Sequence, residues 1–180
     1  MHWKKLSSTY LSHHIYFTAR QDVCERPDGQ IVDPYFVVEL PPCVCAMCVT
    51  GNNEVILIRQ YRHPIEETLF ELPGGFIDPG EDTQAAIARE LMEETGYAFS
   101  SYTPLGKLAA NPGILNNYTH LFLATGGEKK NTQQLDRNED IEICYFTLEE
   151  VRRMLLQHNI KQALHAACLF YGFEKLYLGK

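Results

Sequence analysis

Residues 75–97 read Gly-Phe-Ile-Asp-Pro-Gly-Glu-Asp-Thr-Gln-Ala-Ala-Ile-Ala-Arg-Glu-Leu-Met-Glu-Glu-Thr-Gly-Tyr. The stretch predicts a loop running into a helix over Thr83–Thr95. Asp82 is placed to cap its first turn, and Gly96 to end it in a left-handed conformation. Glu90, Glu93 and Glu94 stand at i, i+3 and i+4, so a helix puts them on one face. Like charges that close repel, and the arrangement costs stability unless a cation sits among them. An all-oxygen set of this kind suits magnesium, with manganese as the alternative. An acidic run on a helix is usually a solvated face. That reading explains neither the glycines nor the placement of Glu81 and Arg89.

Working outward, the chain reads as strands on both sides of this helix. Cys43–Thr50 and Glu54–Tyr61 flank a Gly51-Asn52-Asn53 turn and predict an antiparallel pair. Leu69–Leu72 is a short extended segment leading into Pro73-Gly74-Gly75. Tyr102–Ala109 and Thr119–Ala124 are strands about a Pro112-Gly113 turn, residues 126–139 are a polar loop, and Ile141–Phe146 is a further strand. Thr147 and Glu150 form a capping box that opens a helix to about Gln157. Lys161–Leu178 carries a last helical pattern, with Gly172 its weak point. Before residue 42, Ile15–Ala19 and Tyr35–Leu40 surround a Pro27-Asp28-Gly29 turn and read as a hairpin. The division expected is an N-terminal strand-rich region, 1–42, and a catalytic domain, 43–180. The class is α+β, a mixed sheet with one central helix and two C-terminal ones.

Composition narrows the function. A chain of 180 residues has room for one ordinary core. A net charge of −7 argues against a nucleic-acid surface and requires local arginines or bound metal to hold an anion. There is no secretory signal and no apolar run near the roughly 20 residues needed to span a bilayer, so neither a membrane nor export is expected. Cys43, Cys45 and Cys48 form a C-x-C-x-x-C run, but no second ligand pair follows at zinc-site spacing. They are expected to pack as small buried hydrophobes. The cytoplasm is the expected location.

The segment matches the Nudix box at Gly75, Glu81, Arg89, Glu90, Leu91, Glu93, Glu94, Gly96 and Tyr97, with no fixed position violated. The chain therefore resembles the Nudix hydrolases, which cleave nucleoside diphosphates linked to a second group. That resemblance implies an α/β/α sandwich. It implies Glu90 and Glu94 as the main metal ligands, with Glu93 a ligand or a water-positioning group. The Gly74 carbonyl would complete the set, and a Glu81–Arg89 pair would hold the loop to the helix. Arg59 to Gly75 looks like the corresponding part of the ADP-ribose pyrophosphatase subgroup. By that likeness Arg62 is a phosphate clamp, Arg59 a second cation for substrate, and Glu71 a contact to metal or substrate. Pro112, 16 residues past Gly96, matches a proline that accompanies ADP-ribose specificity in the subgroup. The N-terminal hairpin resembles a subunit-pairing element, implying a homodimer.

One departure stands out. The resembled enzymes carry an acid after this proline, whereas the loop here reads Ile114-Leu115-Asn116-Asn117-Tyr118. Asparagine takes up no proton at neutral pH. Either the base comes from another segment, with Glu139 the first choice ahead of Asp140 and Glu142, or a metal alone activates the water. His120 on its strand is more often structural than catalytic. Tyr35, Phe36 and Tyr61 are each candidates to stack on a purine, against a role in packing. The expected reaction is hydrolysis of ADP-ribose to AMP and ribose 5-phosphate. The alternatives are NADH, GDP-mannose or a related compound, or a nucleotide-binding sensor without turnover.

Overall fold

The computed structural model describes residues 1–14 and 17–178, which fall into two compact units. The first comprises Met1–Pro41 and Ala109–Tyr118; the second comprises Pro42–Leu108 and Thr119–Lys180.

The first unit is an antiparallel sheet of β1 (Lys4–His14), β2 (Phe17–Glu25) and β3 (Ile31–Glu39), in that order. The sequence reading expects a hairpin and misses β1. Its residues, KKLSSTYLSHH, are nearly all exposed, so no burial pattern marks it, and backbone pairing to β2 alone defines it. Of the expected Ile15–Ala19 strand, Phe17–Ala19 begin β2, while Ile15 and Tyr16 lie outside the described residues. The 109–118 segment belongs to this unit through a Val38 amide that donates to Ile114 O at 2.8 Å.

The second unit is built on a mixed sheet. Its spine runs β10 (Ile141–Thr147), β5 (Glu54–Arg62), β4 (Cys43–Thr50), β9 (Thr119–Lys129) and the short β7 (Tyr97–Ala98). β6 (Glu67–Glu71) pairs the far half of β5, and β8 (Ser101–Leu108) pairs β9. Among the described residues of this sheet, only β4 and β9 run parallel. β9 continues five residues beyond the expected Ala124, because Ala98 and Tyr97 pair with Glu128 and Lys129.

The apolar run of β4 explains the layering, since a strand buried on both faces has no polar alternation. Val44, Ala46 and Cys48 pack toward Ile87 and Leu91 of α1 (Thr83–Thr95). Cys45, Met47 and Val49 pack toward Val151 of α2 (Leu148–Leu156) and Leu169 of α3 (Ala163–Leu178). Helices thus cover both faces of the sheet. The same alternation puts Cys45 and Cys48 on opposite faces, where they cannot share a metal. All six cysteines are free thiols. Among the described residues, no helix is long and apolar enough to cross a membrane.

Candidate active site

Three segments converge on a cavity of about 490 Å³ in the second unit: the loop after β6, the polar face of α1, and the 130–140 loop before β10. Arg62, Gln162 and His165 complete the part of its wall relevant to chemistry.

The loop is held open by its own backbone. Val44 and Ala46 amides donate to Gly75 O and Pro73 O at 2.9 and 3.2 Å. The Gly74 carbonyl between them takes no part in that ladder. Gly74 has φ +148, and a Cβ there would lie 2.2 Å from Val44 O. A Cβ on Gly75 would lie 2.6 Å from a Glu90 carboxylate oxygen. Gly74 is thus required for the loop to lie this close to β4, while at Gly75 a side chain would press on the Glu90 carboxylate.

Helix α1 begins and ends as its sequence predicts. Asp82 accepts from the Gln84 and Ala85 amides, and Gly96 closes the helix at φ +71. Arg89 is its organising side chain. Nε and Nη2 donate to the two carboxylate oxygens of Glu81 at 3.0 and 2.9 Å, and Nη2 also reaches Phe76 O at 3.0 Å. Nη1 donates to Glu90 at 2.9 Å and Glu93 at 3.1 Å. Arg89 thereby holds Glu81 below the usual carboxylate range. In turn Glu81, the main cause, makes Arg89 hold its own proton more firmly than a free guanidinium does.

Glu94 is 5% exposed. Burial pushes its carboxyl up to about 8; the Gly74 amide opposes the rise, while Glu90 and Glu139 add to it. Burial also raises Glu90, against the pull of Arg89. Six carboxylates face the cavity, from Asp78, Glu90, Glu93, Glu94, Asp136 and Glu139, against two guanidiniums, from Arg62 and Arg89. Glu90 and Glu93 are turned onto Arg89, and Glu94 onto the Gly74 amide. Among the described residues, no three acidic, histidine or cysteine side chains are drawn into a closed metal cage. The donor chemistry nevertheless fits a hard divalent cation: all oxygen, anionic, partly dehydrated and short of positive charge.

Glu139 reaches this group through long-range ties. Gln133 Nε2 donates to Glu94 O at 2.8 Å and to Ile141 O at 3.2 Å, and the Gln134 amide donates to Glu93 O at 2.9 Å. The loop is thereby stitched to the C-terminal end of α1. Within it, the Glu139 amide donates to Asp136 O at 3.0 Å and the Asp136 amide to Glu139 Oε2 at 2.9 Å.

Arg62 faces the cavity, held by a two-pronged bond from Nε and Nη2 to Glu71. Glu71 is 1% exposed and carries the guanidinium from behind. Arg59 goes elsewhere. Three residues apart on one strand, it and Arg62 point to opposite sides of the sheet. Arg59 pairs with Glu142 of β10 beside a separate depression that also includes Tyr61 and Asp140. The structure therefore does not bring Arg59, Asp140 or Glu142 to the glutamates. Pro112 lies exposed in the first unit's 111–115 turn. The two asparagines after it have structural bonds in that unit. Asn116 Oδ1 accepts from the Leu40 amide at 3.0 Å, and Asn117 Nδ2 donates to Pro41 O at 2.9 Å.

Sequence reasoning missed Gln162, His165 and Asp136 as part of the wall. Asp136 lies in a polar loop, and the other two lie in a stretch read only as the start of a helix. None carries a local signal.

A model of the NUDIX domain matches residues 39–167, and one of the nucleoside diphosphate sugar hydrolase N-terminal domain matches residues 3–38. A methanol dehydrogenase activator of Bacillus methanolicus is 33% identical, over 77% of this chain and 75% of its own. ADP-ribose pyrophosphatases of Bacillus subtilis (strain 168) and Mycobacterium tuberculosis (strain ATCC 25618 / H37Rv) are each 30% identical. The alignments span 82% and 92% of this chain, and 80% of each of those proteins. The crystal structure of an ADP compounds hydrolase superposes with a TM-score of 0.85 over 98% of this chain and 95% of that one, at 24% identity, and shares the fold. The chain belongs to the Nudix family. It is a hydrolase of nucleoside diphosphates linked to a second group.

Proposed function

We propose that the protein is a divalent-cation-dependent diphosphatase that cleaves ADP-ribose to AMP and ribose 5-phosphate. The observation that carries this reading is the convergence of Glu90, Glu94, Glu139 and Arg62 on one cavity. The two similar ADP-ribose pyrophosphatases support the choice of substrate.

Glu90, Glu94 and the Gly74 carbonyl would hold the cation, with Glu93 beside them, and Mg²⁺ or Mn²⁺ there would neutralise diphosphate charge and acidify water. Arg62, with two of its nitrogens fixed by Glu71, keeps Nη1 for a phosphate oxygen. Glu139 takes the proton of the attacking water as its oxygen bonds to phosphorus, and the bridging oxygen leaves with the other phosphate. Glu81 and Arg89 position Glu90 and Glu93. Arg59 and Pro112 enter this reading on resemblance alone.

The same reading makes the first unit a subunit-pairing surface. Leu6, Tyr10, Leu11, Phe17, Ile31 and Phe36 are exposed on its sheet. A second copy of the chain is the proposed cover, and the free thiols favour the cytoplasm as the location. Incubation with ADP-ribose, NADH and GDP-mannose in Mg²⁺ or Mn²⁺, with products separated by chromatography, tests the function. AMP from ADP-ribose at the highest kcat/KM is expected. Preference for another compound, or full turnover in EDTA, would overturn the assignment.

A further inference from the structure

The backbone amide of Leu72 donates to Nδ1 of His165 at 3.1 Å, across 93 residues of sequence. An amide only donates, so Nδ1 is unprotonated and the neutral ring carries its hydrogen on Nε2. A charged ring would set two N–H groups against each other. Burial disfavours the charged form as well, pushing the ring down to about 4, with Arg62 adding to the effect and Glu71 opposing it. His165 is therefore neither a base nor a metal ligand here, because Nε2 has no lone pair to offer.

What Nε2 does offer is a hydrogen. It bonds to none of the described residues, yet none of their buried side-chain nitrogens or oxygens lacks a partner. The small part of His165 left accessible therefore includes Nε2, and the residue lines the cavity. The cavity's charged groups are mostly acceptors, and Arg62, which lines the same cavity, is held by Glu71, the residue next to the Leu72 whose amide meets the ring. An ionised diphosphate presents acceptors only, and a neutral donor beside a guanidinium suits it without adding charge.

We infer that His165 is a substrate-binding residue whose Nε2–H donates to a phosphate oxygen of the diphosphate bridge beside Arg62. This rests on the cavity being a diphosphate site, but not on which nucleotide fills it. The ring has two separable duties, and two substitutions divide them. Asparagine places an acceptor near the position of Nδ1 and nothing at Nε2; glutamine places a donor near Nε2 and nothing at Nδ1.

The test uses the full chain with Mg²⁺ and inorganic pyrophosphate, followed by calorimetry and thermal melts. His165→Asn should melt close to wild type and bind magnesium pyrophosphate about tenfold or more weakly, with kcat/KM falling in parallel. His165→Gln should melt lower, since the Leu72 amide loses its acceptor, and keep most of the affinity. In the unsubstituted protein, nitrogen-detected NMR should show the Nε2–H tautomer, with that resonance shifting on addition of magnesium pyrophosphate. Wild-type binding by His165→Asn, an unmoved Nε2–H resonance, or loss confined to ADP-ribose while pyrophosphate binds normally would each overturn the inference. A wild-type protein that binds magnesium pyrophosphate but cleaves a nucleotide other than ADP-ribose would remove the substrate assignment and leave the role of His165 standing.

Discussion

The Gly74 amide donates to Oε2 of Glu94 at 2.8 Å, tying the loop before the helix to the most deeply buried of the carboxylates that face the cavity. That bond is the main protein contact offsetting the burial of Glu94, and burial still dominates. Under the proposed function, a divalent cation beside this carboxylate would offset its burial.

Removing its charge should therefore separate activity from stability. Glu94→Gln keeps the shape and is expected to lower kcat by on the order of a hundredfold or more. In EDTA above pH 8 it should melt higher than wild type, by about 2–4 °C for each kcal/mol relieved. Kinetics with Mg²⁺ and a melt in EDTA check both halves.

The pH dependence has a definite sign. An unfolded chain releases a glutamate proton at about pH 4.3, while folded Glu94 keeps its proton to about 8. Between those values the folded state binds more protons, so this contribution to stability is full below the lower value and is lost as pH rises through about 8. In EDTA, the wild-type melting temperature should fall relative to Glu94→Gln between pH 6 and 8.5, and Mg²⁺ should reverse the difference. Parallel curves for the two proteins would show that ionised Glu94 carries no penalty.

Glu139 and Glu142 lie three residues apart but in different surroundings. Glu139→Gln is expected to lower kcat by about a hundred- to ten-thousandfold, with little change in KM or melting temperature. Glu142→Gln should do far less, since its carboxylate pairs with Arg59 away from the cavity. Pre-steady-state rates at saturating substrate and Mg²⁺ decide between them. Equal kcat for Glu139→Gln and wild type would leave activation to the cation alone.

Arg89 reaches Glu81, Glu90, Glu93 and the Phe76 carbonyl at once, a task for a planar fork. Arg89→Lys should weaken Mn²⁺ binding by about 10- to 100-fold without removing a metal ligand. Titration followed by electron paramagnetic resonance measures it directly.

The exposed apolar residues of the first sheet predict a homodimer in solution. Light scattering at micromolar concentration should give twice the chain mass, and Leu6→Asp with Leu11→Asp should reduce it to one. A monomer mass for wild type would count against the pairing surface.

The helix of the site is fully legible in the sequence. Asp82, Gly96 and the three glutamates act within a few residues of one another, and α1 spans Thr83–Thr95 as expected. β1 was not legible, because exposure on both faces leaves no periodicity to read. Nor was the purpose of Asn116. Its side chain serves the Leu40 amide, a partner 76 residues away.

The sequence by itself determined the box helix, its caps, the acidic face and the buried strand Cys43–Thr50. Each rests on near-neighbour spacing along one element, where helix and strand geometry dictate which side chains meet. Only the tertiary structure decided that Glu139 joins Glu90 and Glu94 while Glu142 does not, and that Arg62 faces the cavity while Arg59 turns away. It also decided that Leu72 orients a histidine 93 residues distant. Those contacts depend on which faces of the sheet are covered and how a loop is stitched to a helix end. Their partners are far apart in the chain, and no local pattern of residue types records such a meeting.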